Sequence, residues 1–179
     1  HYEFIRYKSS KNANENTNMC DHAEVIGRIP SSHDKALSYF HSFGVTKNYI
    51  VFIEQPLIMD FRKLLVKIIQ NKPGSEALIT KKDFKTRVHV MNKHTGEIVN
   101  QNFITDPLFV FHHINAYEND SNEIICDISA YDADSFNVMA FTRQDVFTDR
   151  TLGKDLSKSL GKRIRIPLNS KGNGGKNVF

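Results

Sequence analysis

Tyr39-Phe40-His41-Ser42-Phe43-Gly44-Val45-Thr46-Lys47-Asn48-Tyr49-Ile50-Val51-Phe52-Ile53-Glu54-Gln55-Pro56-Leu57 joins a histidine set among aromatics, a short turn and an apolar run. The turn falls at Gly44 to Asn48 and the run at Tyr49 to Ile53, so the stretch reads as strand, turn, strand. That places His41 at the mouth of a hairpin, held by stiff backbone on either side. Pro56 closes the run, because a proline cannot donate to a sheet ladder. A single histidine in this setting is either a metal ligand or a half-buried packing residue with one hydrogen bond.

Strand signals continue on both sides. Tyr2 to Tyr7 and Glu24 to Pro30 read as strands, separated by a polar loop from Lys8 to Asp21. Downstream, Ala77 to Thr80, Arg87 to Met91, Glu97 to Val99, Glu123 to Tyr131 and Arg163 to Leu168 carry β-branched or alternating patterns between polar turns. Leu108-Phe109-Val110-Phe111 within Pro107 to Tyr117 is an unbroken apolar run, expected of a strand buried on both faces. Asp134 to Gly161 reads as mixed helix and loop, and Asn169 to Lys176 as a glycine-rich connector. Short strands at this spacing predict an all-β sandwich, barrel or propeller rather than a doubly wound α/β fold.

One segment breaks the pattern. Phe61, Leu64, Leu65, Ile68 and Ile69 recur at helical spacing, with Asp60 placed to cap the start and Asn71 to Gly74 to stop it. Arg62, Lys63 and Lys67 lie on the opposite face. Two readings fit: a helix packed on a sheet with a solvated basic face, or a helix lying apolar side down on an anionic membrane surface.

Composition narrows the functional classes. The 179 residues are 40% hydrophobic and 25% charged, and no apolar run is long enough to span a membrane. A net charge of +4 with scattered lysines argues against nucleic acid. Cys20 and Cys126 form no C-x-x-C, no disulfide framework and no zinc ribbon, and neither has a base beside it. A reducing compartment is the default reading of two such cysteines; the expected location is cytoplasmic, with a peripheral membrane position or a mitochondrial one left open. There is no nucleophile elbow, phosphate-cradling loop or His-Glu-x-x-His. The start at His1 and the stop after a glycine-rich turn suggest an internal piece of a longer protein.

Eight histidines remain to be sorted. His22, His33 and His94 sit in polar surroundings and read as solvated, and His89 as exposed on one side of a hairpin. His41 and the pair His112-His113 each follow a phenylalanine beside a buried-looking strand. Neutral imidazole is the commonest side-chain ligand for iron, copper and zinc, and a buried imidazole without partners wastes a donor and an acceptor. His41 and His112 are therefore candidates for one shared site. Glu54 and Glu118 have the right chemistry to complete a two-histidine, one-carboxylate triad, although spacing does not force them to converge.

The stretch 39 to 57 closely resembles the carotenoid cleavage oxygenase family. So does Thr105-Asp106-Pro107-Leu108-Phe109-Val110-Phe111-His112-His113-Ile114-Asn115-Ala116-Tyr117-Glu118. The likeness is to its animal branch, the beta-carotene oxygenases and their retinoid isomerase relative. It is close from Asp21 to Tyr131 and looser to Leu168.

The resemblance implies part of a seven-bladed β-propeller with inserted helical segments, and residues 1–179 an internal portion of one such domain. It implies Fe(2+) on the propeller axis, held by four histidines. His41 and His112 fall on two of them, and the other two and the glutamates behind them lie outside this chain. Glu54 and Glu118 are not among those glutamates. The implied reaction is oxidative cleavage of a conjugated double bond in a carotenoid by dioxygen, giving two carbonyl products such as retinal. Tyr39 falls on an aromatic that lines the active site, where its ring face could stabilise positive charge on the polyene. The helix from Asp60 to Gln70 falls on a segment that dips into membrane. The alternatives are a retinoid isomerohydrolase on the same fold and a non-catalytic propeller that binds lipid or protein.

Overall fold

The computed structural model describes residues 1–7, 23–33, 36–99, 103–132, 136 and 158–168, with the backbone of 176 and 177. The strands are β1 (Tyr2–Tyr7), β2 (Ala23–Ile29), β3 (Leu37–Ser38), β4 (Gly44–Val45), β5 (Tyr49–Glu54), β6 (Leu57–Met59) and β7 (Leu78–Thr80). They continue as β8 (Thr86–Asn92), β9 (Phe103–Thr105), β10 (Leu108–Glu118), β11 (Glu123–Asp132), β12 (Leu160–Pro167) and β13 (Lys176–Asn177). One α-helix, α1 (Phe61–Ile69), is found among the described residues. The mixed segment expected between Asp134 and Gly161 lies almost wholly outside them.

The strands form four sheets. β1 pairs with β2; β3, β6 and β7 form a second sheet; β13-β9-β8-β5-β4 a third; and β10-β11-β12 a fourth. All pairs are antiparallel except β13 with β9.

β5 explains why three of these sheets stack. Its run Tyr49 to Ile53 is apolar on both faces, as a strand covered on both sides must be. Val51 and Ile53, with Val88, Val90 and Phe103, pack against Leu108, Val110, Ile124, Cys126, Ile128, Ile164 and Ile166 of the fourth sheet. Ile50 and Phe52 face the other way, with Met91, onto Tyr2, Phe4 and Ile29 of the first. β12 alternates instead: Ile164 and Ile166 are buried, while Arg163 and Arg165 face water. The Arg163 guanidinium grips the Asp127 carboxylate with both arms, at 2.6 and 2.9 Å.

α1 begins where the sequence signals it. The Asp60 carboxylate accepts from the backbone N–H groups of Arg62 and Lys63. It buries none of its residues, and Leu65, Ile68 and Ile69 are 60%, 63% and 76% exposed. The expectation of a helix packed on a sheet is therefore not met among the described residues, where the apolar stripe faces outward.

Candidate metal centre

His41 sits in the loop between β3 and β4, and His112 on β10, 71 positions later. Both side chains are exposed. Their ring centroids lie 5.1 Å apart, edge to face at 84°. Phe111 lies 5.9 Å from the His41 ring and 6.1 Å from that of Tyr39.

A break in strand register puts His112 there. β10 pairs Val110 with Ala130 and then His112 with Ser129, so Phe111 has no partner across the ladder. Such a bulge re-aims every side chain after it. Without it, strict alternation from Val110 would carry His112 into the core. With it, His112 stands opposite Ser129 on the face of Tyr131, and His113 stands opposite Ile128 on the core face. A second break at Ile114 brings Ala116 opposite Cys126 and returns it to the core side.

His113 is correspondingly half-buried, with its Nε2 shielded from solvent. Its Nδ1 lies 3.0 Å from the Ser42 hydroxyl, and its Nε2 has no hydrogen-bond partner among the described residues. Burial pushes this imidazole down to about 4, so it is neutral at physiological pH.

The loop carrying His41 is bonded to β10 on either side of the histidine. The Ser42 hydroxyl donates to the Phe111 carbonyl at 2.8 Å and accepts from the His113 N–H at 3.0 Å. The Gln55 carboxamide donates to the Tyr39 carbonyl at 2.8 Å and accepts from the Val110 N–H at 2.6 Å. Neither residue stood out in the sequence. The one signal was a pair of polar residues, Glu54 and Gln55, ending an apolar run.

The donor set fits a shared metal ion. Two imidazoles bound through one nitrogen each, about 2.1 Å from a first-row ion, have centroids roughly 5 Å apart at a right or tetrahedral angle. The Tyr39 hydroxyl lies 3.3 Å from His41 Nδ1. With the ring proton on Nδ1, shared with that oxygen, Nε2 keeps its lone pair for a metal. No group of three or more His, Cys, Asp or Glu able to hold an ion occurs among the described residues, which therefore supply a pair rather than a full set.

Other residues singled out in the sequence lie elsewhere. Glu54 is sealed between the first and third sheets, bonded to Tyr2, Ser32 and His89. Glu118 accepts from the Thr46 hydroxyl and from the Asn48 backbone and side chain, tying the β4–β5 turn to the end of β10. Neither carboxylate completes a triad with the histidines. His89 is not the exposed residue expected, because its side chain is 19% exposed and its Nε2 lies 3.0 Å from Glu54. His33 is not solvated either. Its ring stacks on Phe84 at 5.1 Å with both nitrogens buried, and that burial lowers its pKa. Burial pushes the Cys126 thiol up to about 12, which removes it as a nucleophile.

Comparison with known proteins places the chain in a family. Residues 1–177 match the family described as retinal pigment epithelial membrane protein. The chain is 39% identical over 168 residues to the beta,beta-carotene 15,15'-dioxygenase of Gallus gallus, covering 93% of this chain and 32% of the relative. It is 35% identical over 154 residues to the mitochondrial carotenoid-cleaving dioxygenase of Macaca fascicularis, covering 82% and 27%. Among solved structures, a Synechocystis apocarotenoid oxygenase mutant superposes with a TM-score of 0.58 at 22% identity, over 74% of this chain and 25% of that one. A cobalt-substituted form of the same enzyme gives 0.55 at 20% identity, over 72% and 25%. The chain spans about a third or less of the length of the curated relatives it matches.

The fold is thus all-β, and the stacked sheets are part of a β-propeller. The chain belongs to the retinal pigment epithelial membrane protein family, the family of the carotenoid oxygenases.

Proposed function

We propose that the protein carrying this chain is a non-haem iron(II) dioxygenase that cleaves a conjugated double bond of a beta-carotene-type carotenoid. His41 and His112 are two of its iron ligands. The observation that carries this reading is the edge-to-face pair at 5.1 Å, exposed and reached from two segments far apart in sequence. The names of the chicken and macaque relatives supply the substrate class.

Iron, when bound, supplies the activation of dioxygen, whose two oxygen atoms end as the carbonyl oxygens of the two products. The residues of this chain hold and shape the site. Tyr39 orients His41 through its hydroxyl, and with Phe111 it lines one side of the pair with aromatic surface. Such a wall accepts an apolar polyene, and the Tyr39 ring face stabilises positive charge developing on it.

The outward apolar stripe of α1 supports peripheral contact with a membrane, from which a lipid-soluble substrate would enter. No described helix is long and apolar enough to cross one. Leu65→Glu with Ile68→Glu is expected to reduce flotation of the full-length protein with anionic vesicles and leave its iron content unchanged.

The central test is iron content by elemental analysis of full-length H41A and H112A. Both are expected to lose their iron, and full occupancy in both would overturn the ligand assignment. Incubation with beta-carotene should release two carbonyl products. All-trans retinyl ester converted to a cis-retinol instead would move the assignment to a retinoid isomerohydrolase.

A further inference from the structure

We infer that Ser42 and Gln55 form a two-point clamp that sets the separation of His41 and His112, acting as positioning residues for the metal they share. The inference rests on the metal reading above. It begins from a problem of mechanics. His41 belongs to a loop with no ladder of its own, and His112 follows a bulge where the β10–β11 register slips. Neither ring owes its place to a regular sheet, yet two ligands of one ion must be held to within about half an ångström.

The two polar side chains meet that need symmetrically. Gln55 spans Tyr39 and Val110, each two residues before a histidine. Ser42 follows His41 directly and bonds the backbone on both sides of His112, at Phe111 and His113. Gln55 is itself anchored, because the Ser38 hydroxyl accepts from its N–H at 3.0 Å and lies 2.7 Å from its carbonyl oxygen.

The chemistry is specific at both points. A carboxamide offers a donor and an acceptor on one planar group, as the Tyr39 carbonyl and the Val110 N–H require. A glutamate of the same shape would accept from Val110 but turn a second oxygen toward the Tyr39 carbonyl. A hydroxyl likewise donates once and accepts, matching the Phe111 carbonyl and the His113 N–H.

The test uses metal-free full-length protein titrated with Co(II) alone against a competing chelator, reading the dissociation constant and the visible absorption bands. S42A and Q55E are each expected to weaken Co(II) binding about 10- to 100-fold and to shift the bands. S42T keeps the hydroxyl and stays within a few-fold of wild type. T46A removes a neighbouring turn bond to Glu118 outside the clamp, and is expected to lower the melting temperature without changing affinity or spectrum.

If S42A and Q55E bind Co(II) like wild type while H41A and H112A do not, the clamp is wrong and the metal reading stands. If H41A and H112A keep wild-type affinity, the metal reading falls and the clamp falls with it. Should either clamp variant fail to fold, S42C, which weakens both serine bonds while keeping a side chain in place, is judged by the same limits.

Discussion

At Glu54 a carboxylate is sealed beneath β1 and β2 against a half-buried imidazole, while at His41 and His112 two imidazoles stand open beside an aromatic wall. The closed centre is saturated with partners. Glu54 Oε1 accepts from the Tyr2 hydroxyl at 3.0 Å and the Ser32 N–H at 2.9 Å, with Ser31 Oγ at 3.1 Å. Its Oε2 accepts from the Ser32 hydroxyl at 2.6 Å and faces His89 Nε2 at 3.0 Å. Burial by itself would raise this carboxyl, but the His89 and Ser32 donors outweigh it and hold it at about 2. At the open centre the Tyr39 hydroxyl beside His41 Nδ1 is the one hydrogen-bond partner of either ring among the described residues. Imidazole therefore does two jobs in one chain: His89 secures packing against a buried carboxylate, while His41 and His112 stand exposed to solvent.

Breaking the closed centre should have the largest effect. Glu54→Ala leaves the buried Tyr2 hydroxyl and the part-buried His89 ring without their shared partner, and is expected to cost about 3–5 kcal/mol in denaturant unfolding of the full-length protein. A cost below about 1 kcal/mol would mean that the centre is not closed. Acid is the next lever. The folded-state carboxyl at about 2 lies below its ordinary value of 4.5, so its contribution is complete above the higher value and disappears as pH falls toward the lower. Melting temperature should therefore drop through that window, and Glu54→Gln should flatten the drop.

At the open centre the effects should fall on metal rather than on folding. Tyr39→Phe removes the hydroxyl beside His41 Nδ1. It is expected to weaken Co(II) binding about tenfold in the chelator competition, with the melting temperature unmoved. Smallest of all should be the stability change of metal-free H41A and H112A, within about 0.5 kcal/mol of wild type. A loss of several times that in either would make the histidine a packing residue and erase the contrast between the centres.

The two centres also differed in how far they could be read beforehand. The meeting of His41 and His112 was legible because each sits in an aromatic context next to an apolar strand and inside a long family motif. The closed centre was misread. His89 and His33 follow local patterns that look exposed or solvated, and segments distant in sequence, β5 for His89 and the β7–β8 turn for His33, cover them. Glu54 had the chemistry of a ligand and the position of a buried anchor, and nothing local separates those roles. The bulge at Phe111 was equally silent, since Leu108 to His113 looks continuous and the slip exists only relative to β11.

Local physics is enough to write much of this chain. The double-faced apolar run of β5, the alternation of β12, the Asp60 cap and the helical stripe of α1 follow from periods of two and 3.6, and the histidine motifs name the family. Which face a side chain occupies after a register slip, and which carboxylate meets which imidazole, depend on pairings between segments tens of residues apart. Such pairings are set by the packing of whole sheets, so only the tertiary structure could separate the open pair at His41 and His112 from the sealed one at Glu54 and His89.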